Sequence, residues 1–174
     1  SSENDVNKCS VVFKVNNGSI GNTPSAGADG KLCNLMGNDG HVISSRRDQG
    51  VWFNDVYRVS SDDEWLLLFT DSCADCQQVK RIHYKNGVKD YEELMTGDDD
   101  YKNRKPLNGC ISVDKAFLYS APNESKKTKA YLIKGDAFSL VDMSEDGFFY
   151  KINYKPASGK SKVYWVKSDD FDLK

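Results

Sequence analysis

The sequence predicts a mainly β protein in two parts, a disulfide-stapled antiparallel N-terminal region followed by a C-terminal β region of a size that closes into a small barrel or a two-sheet sandwich. Short runs rich in aromatic and β-branched residues recur along the chain, separated by turn residues such as Asn-Gly, Asp-Gly and Lys-Gly-Asp. All five cysteines lie at or before residue 110. We assign residues 1–96 to an N-terminal β-rich domain, 97–110 to a linker and 111–174 to this C-terminal β region.

The composition argues against two classes of partner. The formal net charge of the chain is -2, which gives no reason to expect nucleic acid. No stretch approaches the roughly 18 apolar residues that a membrane-spanning helix needs. Residues 111–174 hold 11 basic and 9 acidic side chains, whereas residues 1–110 hold 13 and 17. A mildly basic C-terminal barrel would tolerate an anionic partner.

The beginning of the chain predicts export. It reads Ser-Ser-Glu-Asn-Asp without an initiator Met, as a processed mature protein does. We expect a periplasmic or cell-envelope protein. In this interpretation, Ser1 follows either a removed signal peptide or the lipid-anchor cysteine of a lipoprotein.

The cysteines Cys9, Cys33, Cys73, Cys76 and Cys110 are disulfide candidates, because a small exported domain uses bridges to supplement its core. An odd number leaves one thiol free, unless a partner chain uses it. A Cys9–Cys33 bridge would restrain the N-terminus and stabilise the fold by about 3 kcal/mol. We favour that pairing, although spacing alone leaves the connectivity open.

The middle of the chain predicts an antiparallel meander. Its segments are Val51–Ser60, Glu64–Thr70, Gln77–Tyr84 and Val88–Leu94. Asn86-Gly87 separates the last two segments and is a strong hairpin signal. The polar, breaker-rich stretch that follows is the predicted linker.

The Cys73-Ala-Asp-Cys76 motif has two interpretations. It follows the apolar run Trp65–Phe69, as the redox turn of a thioredoxin follows a strand. A thioredoxin fold needs more chain than remains before the barrel, so a structural bridge is favoured over catalysis. Neither His41 nor His83 lies at the sequence spacing from these cysteines that is typical of a zinc finger. We therefore predict no metal, no cofactor and no enzymatic activity.

The last third, residues 111–174, predicts five brief strands and carries a family resemblance. Four patterns occur in order: Leu-Tyr-x-x-Pro from 118, Tyr-Leu-x-Lys-Gly-Asp from 131, Asp-Gly-x-x-Tyr-Lys-Ile from 146 and Trp-Val-Lys-x-x-Asp from 165. Together they resemble a bacterial SH3-type domain over Val113–Leu173. Tyr164 stands where many members of that family have Gly.

The resemblance implies a binding module of the cell envelope that contacts peptidoglycan or peptides. In such barrels the binding groove lies between the loop after the first strand and the loop before Phe148. By resemblance, Tyr119, Tyr131, Phe149 and Trp165 are the candidate partner-binding residues.

These observations predict a non-enzymatic binding protein that recognises a protein partner. An immunity or inhibitor protein, acting against a toxin or a wall-cleaving enzyme, is the first hypothesis. The first alternative is a wall-targeting accessory protein that holds a peptidoglycan peptide. The second alternative is thiol–disulfide exchange at Cys73 and Cys76.

Overall fold

The computed structural model describes residues 7–75 and 77–174. The protein is mainly β, with 60% strand and 5% helix, and its sheets are antiparallel. The chain divides into two compact units. The first comprises Ser1–Cys73 and Arg81–Tyr91, and the second comprises Ala74–Lys80 and Glu92–Lys174. The division falls inside two strands of the meander.

The strands up to the end of the meander are β1 Cys9–Ser10, β2 Phe13–Asn16, β3 Ser19–Pro24, β4 Leu32–Cys33, β5 Met36–Asn38, β6 His41–Asp48, β7 Val51–Val59, β8 Trp65–Cys73, β9 Gln78–Lys85 and β10 Val88–Thr96. The later strands are β11 Asn108–Ile111, β12 Lys115–Tyr119, β13 Lys127–Ile133, β14 Ala137–Met143, β15 Phe149–Tyr154, β16 Lys162–Lys167 and β17 Phe171–Leu173.

The predicted meander is confirmed. A six-stranded sheet has the order β10-β9-β8-β7-β6-β5, so each strand lies beside its neighbour in sequence. Between β9 and β10, Asn86 and Gly87 have φ of 52° and 78°. Both values are positive, as the tight turn of a two-residue hairpin requires.

The predicted Cys9–Cys33 disulfide is also confirmed, and it closes the ladder of β1 with β4. The Cys33 backbone N–H donates to Ser44 Oγ at 2.8 Å, which attaches this ladder to β6. Cys73 ends β8, and Cys76 lies outside the described residues. Cys110 lies half-buried in β11, where its thiol faces the Ile111 carbonyl oxygen at 4.0 Å.

The second unit is built on a seven-stranded sheet with the order β13-β12-β16-β15-β14-β11-β17. Among the described strands, β13 and β17 each have one neighbour, so the sheet ends at them. Its apolar core is formed by Leu94, Ile111, Ala116, Leu118, Leu132, Phe138, Leu140, Tyr150, Ile152, Val166 and Phe171.

The last third contains more strands than the five that the sequence predicts. The short helical turn Ser168–Asp170 separates β17 from β16, so the final predicted strand is two. The stretch 97–110, predicted as a linker, contains the helical turn Tyr101–Asn103 and most of β11. Cys110 pairs with Ala137 on one side and with Asp172 on the other, so β11 owes its conformation to distant strands.

Gly109 shows why the sequence around β11 does not look like a strand. A Cβ atom at this position would lie 2.6 Å from a Phe138 ring carbon and 2.9 Å from a Phe171 ring carbon. The two rings pack edge to face with centroids 5.2 Å apart. Glycine, although a weak strand former, is therefore the residue that fits beneath them.

No helix in the described ranges, 7–75 and 77–174, is both long enough and apolar enough to cross a membrane.

Candidate functional site

The four aromatic residues chosen from the sequence lie on one face of the seven-stranded sheet. Side chains alternate between the two faces along a strand. In β12, Ala116 and Leu118 belong to the core, so Tyr119 points to the opposite face. In β16, Val166 belongs to the core, and its neighbour Trp165 points away from it. The same alternation places Phe149 and Tyr131 away from the core.

Strand register brings these side chains close together. Tyr119 in β12 lies opposite Trp165 in β16, and Phe149 in β15 lies opposite Lys167. Directly opposite residues of antiparallel strands share a face and lie within contact distance. On the edge strand β13, Tyr131 lies opposite Phe117 with ring centroids 6.3 Å apart.

Burial separates the four candidates. Tyr119 is 3% exposed and Phe149 is 5% exposed, and their rings pack edge to face at 5.1 Å. Trp165 is half-buried. Tyr131 is 49% exposed. A partner could therefore reach Tyr131 and part of Trp165. Tyr119 and Phe149 are too buried for direct contact and instead pack beneath the exposed side chains.

Lysines stand over the aromatic rings. The Lys115 ammonium lies 4.1 Å from the Tyr131 centroid, and the Lys127 ammonium lies 3.9 Å from the Phe117 centroid. In the described part of the chain, neither lysine has a carboxylate within 4.0 Å. We name this surface the aromatic–lysine face: Lys115, Phe117, Tyr119, Lys127, Tyr131, Phe149, Trp165 and Lys167.

A small cleft of about 130 Å³ adjoins this face and is lined by Glu124, Phe148, Phe149, Lys167 and Asp169. Lys167 Nζ lies 2.6 Å from Glu124 Oε1. The hydrogen bond from Lys167 lowers the pKa of Glu124, and the same bond raises the pKa of Lys167. Both groups are therefore charged at neutral pH, and the positive charge of Lys167 is largely neutralised.

Phe148 is a large exposed side chain on a fixed backbone. It is 66% exposed and lines the cleft. Its N–H donates to Asp146 Oδ1 at 3.0 Å, and its carbonyl oxygen accepts from the Ser168 N–H at 2.9 Å. The phenyl group is thus presented to solvent from a constrained position.

The charges on β14 and β15 are balanced, unlike those on β12 and β13. Lys80 Nζ lies 2.7 Å from Asp142 Oδ2, and Lys151 Nζ lies 3.5 Å from Glu92 Oε1. Burial opposes protonation of Lys80, but the hydrogen bond and the charge of Asp142 together raise its pKa. On the aromatic–lysine face, Lys115 and Lys127 are therefore the lysines that make no ion pair within 4.0 Å among the described residues.

The other chemical candidates do not assemble into a site in the described residues. Cys73 lies at the end of β8, and Cys76, with which a structural bridge is predicted and redox exchange is the alternative, lies outside that part of the chain. His83 stacks on Tyr91 with ring centroids 4.2 Å apart. No group of three or more His, Cys, Asp or Glu side chains there could hold a metal ion.

Sequence reasoning missed Lys115, Phe117, Lys127 and Phe148. The sequence does contain a signal for Lys115 and Phe117. In the run Lys115-Ala-Phe117-Leu-Tyr119 they alternate with apolar residues, which places both on the same side of a strand as Tyr119. Lys127 joins them through its register opposite Tyr119, across an irregularity in β13. That irregularity has no clear sequence pattern.

Comparison with protein-family models, with curated proteins and with solved structures found no match. We therefore infer the function from the geometry of the aromatic–lysine face.

Proposed function

We propose that this chain is an exported, non-enzymatic recognition protein of the bacterial cell envelope. Its C-terminal unit is a bacterial SH3-type module, and the aromatic–lysine face binds a protein partner. One observation carries the proposal: Tyr131 is a large aromatic residue, 49% exposed, beside Lys115, which makes no ion pair within 4.0 Å among the described residues. Phe148, an exposed aromatic residue on a constrained backbone, lies at the cleft that adjoins the same face.

Exposed aromatic residues of this kind are favoured as binding anchors. They offer a large apolar area with two rotatable angles, so ordering them on binding costs little entropy. Tyr131 is further positioned by the Lys115 ammonium above its ring. Such preorganised residues often contribute most of the binding energy of an interface.

The charge of the face indicates an acidic partner surface. Lys115 and Lys127 lie on neighbouring strands, and neither makes an ion pair within 4.0 Å among the described residues, although the charge of Lys127 also acts on the Glu124 carboxylate. Carboxylates on the partner would complement them and accelerate association. An immunity or inhibitor protein would need such a positively charged face if it covers an acidic surface of a toxin or a wall-cleaving enzyme.

The size of the cleft favours a protein partner over an inserted small ligand. Its volume of about 130 Å³ is below the roughly 300 Å³ at which ligand pockets begin. The alternative is a peptidoglycan peptide, whose carboxylates could also pair with the lysines. Export is supported by the Cys9–Cys33 disulfide, since such bridges persist in oxidising compartments.

A comparison of variants tests the proposed function. Tagged wild-type protein should retain a specific protein from a bacterial envelope extract, and Tyr131→Ala and Phe148→Ala should lose it. Tyr91→Ala is the matched control, because Tyr91 is 51% exposed but belongs to the first unit. Equal retention by all four proteins would contradict the proposal. Sedimentation with purified peptidoglycan that depends on Tyr131 and Phe148 would instead support the alternative.

Trp165→Ala separates a binding role from a packing role. With the retained partner purified, we expect a loss of binding of about 2 kcal/mol, or roughly 30-fold in Kd. The loss of folding stability should be smaller than that of Ile152→Ala, a fully buried core change that should cost about 2–5 kcal/mol. Calorimetric titration and urea denaturation measure the two quantities. A large loss of stability with unchanged affinity would assign Trp165 to packing alone.

A further inference from the structure

The first unit contains a second cleft, on the meander sheet and independent of the proposed partner-binding face. Its volume is about 290 Å³. Residues from β6, β7, β8 and β9 line it together with Gly27 and Ala28 of the segment between β3 and β4. The lining side chains on the sheet are Arg46, Phe53, Asp55, Tyr57, Leu67, Thr70, Ile82 and Tyr84.

Strand register explains why these side chains converge. Arg46 lies opposite Phe53, Asp55 lies opposite Thr70, and Tyr57 lies opposite Leu67. Phe53, Asp55 and Tyr57 alternate along β7 and so share a face. The cleft is therefore a continuous patch on one face of four adjacent strands.

The segment that borders the cleft is held in place. Gly27 has φ of 111°, and a Cβ atom there would collide with the Lys31 backbone. Glycine is thus required for the path of the chain at this rim. The following strand, β4, is fixed by the Cys9–Cys33 disulfide and by the hydrogen bond from Cys33 to Ser44. The cleft is therefore preformed.

Two opposite charges lie within the cleft. Thr70 Oγ1 donates to Asp55 Oδ1 at 2.7 Å, which leaves Asp55 Oδ2 as an acceptor. Arg46 Nε is 3.6 Å from that oxygen, and it is buried without a hydrogen-bond partner among the described residues. Nε is enclosed by protein atoms, whereas the Arg46 side chain is 25% exposed. A ligand oxygen would therefore accept from the terminal nitrogens of the guanidinium, while Nε stays directed at Asp55.

The tyrosines add hydroxyl groups to the cleft. Burial, followed by the Asp55 carboxylate, raises the pKa of Tyr57 to about 12, although a hydrogen bond with the Gly27 backbone opposes the shift. The Tyr57 hydroxyl is therefore protonated at neutral pH. Tyr84 is half-buried at the same cleft and provides a second hydroxyl.

The remaining walls are apolar. Phe53, Leu67 and Ile82 line the cleft, and the Arg46 guanidinium lies 4.3 Å from the Phe53 ring centroid. The stacked position orients the planar guanidinium and limits the conformations of its side chain.

We propose that this cleft binds one neutral saccharide ring. The charges of Arg46 and Asp55 balance, so an anion would meet the carboxylate and a cation would meet the guanidinium. A sugar hydroxyl is both a donor and an acceptor, so neighbouring hydroxyls can accept from Arg46 and donate to Asp55. The C–H face of the ring would pack on the apolar walls. The volume is at the lower end of ligand pockets, which begin at roughly 300 Å³ and suit a single ring.

Ligand-observed NMR on the full chain tests this proposal. The probes are N-acetylglucosamine, glucose, galactose and mannose, with acetate and methylguanidinium as charged comparisons. We expect saturable binding of at least one neutral sugar, with Kd in the millimolar range. Arg46→Gln and Asp55→Asn should each raise that Kd at least tenfold. Arg47→Gln is the matched control, because Arg47 is the exposed neighbour of Arg46 on β6 and should leave Kd unchanged.

The folding of each variant is checked by its amide NMR spectrum, and Arg46→Lys provides a second, milder change if Arg46→Gln is unfolded. Three outcomes would overturn the proposal: no neutral sugar binds at tens of millimolar, binding persists in the Arg46 and Asp55 variants, or a charged probe binds more tightly than every sugar.

Discussion

Replacing Asp71 by alanine is expected to lower the free energy of unfolding of the first unit by about 3–5 kcal/mol. Asp71 is 0% exposed and Arg81 is 8% exposed. Arg81 Nε and an Arg81 terminal nitrogen donate to the two carboxylate oxygens, each at 2.7 Å. The guanidinium also lies 3.9 Å from the Phe69 ring centroid. Removal of the carboxylate would leave a buried positive charge without its closest partner, and that charge is the source of the cost.

Urea denaturation followed by circular dichroism measures this loss. The double variant Asp71→Leu/Arg81→Met should recover most of the stability, because two apolar side chains can replace a buried ion pair at little cost. Glu64→Gln is the control for an exposed ion pair, since Glu64 lies 2.8 Å from Lys14 at the surface and should change stability little. If Asp71→Ala costs less than about 1 kcal/mol, the pair is solvated like a surface pair.

Removing the disulfide with Cys9→Ser/Cys33→Ser should destabilise the first unit by about 3 kcal/mol. The two cysteines are 24 residues apart, and their bridge limits the conformations of the unfolded chain. In the folded chain, loss of the bridge frees β1 from β4, the strand that Ser44 attaches to the sheet.

Hydrogen exchange with mass spectrometry locates that effect within the chain. Amides of β4 and β6 should exchange faster, whereas amides of β15 and β16 in the second unit should not change. Cys110→Ser is the matched control, because Cys110 is a half-buried cysteine of the second unit outside the Cys9–Cys33 bridge. Unchanged protection of β4 in the double variant would show that side-chain packing alone holds the N-terminal segment.

The position of the aromatic–lysine face was partly predictable from the sequence. The family resemblance selects Tyr119, Tyr131, Phe149 and Trp165, and the structure places all four on one face of the sheet. Their accessibility was not predictable, because alternation tells which side of a strand a residue occupies and not what covers it. Tyr119 and Phe149 are buried by one another and by neighbouring side chains, whereas Tyr131 lies on an edge strand with solvent beside it.

Local sequence determined the meander and its turns. Each of these features depends on a few adjacent residues: alternating side chains select a half-buried strand, and Asn86-Gly87 favours the positive φ values of a tight hairpin. The Cys9–Cys33 bridge was the favoured pairing, but the sequence did not determine it, because spacing alone leaves the connectivity of five cysteines open.

Tertiary structure alone decided the features that join distant parts of the chain. β11 is a strand because Cys110 pairs with both Ala137 and Asp172, and its Gly109 is required by two rings from elsewhere. Arg46 and Asp55 share a cleft with Tyr84 because four strands lie in register. The physical reason is that register between strands depends on the burial of whole faces in a core, and no short stretch of sequence encodes that.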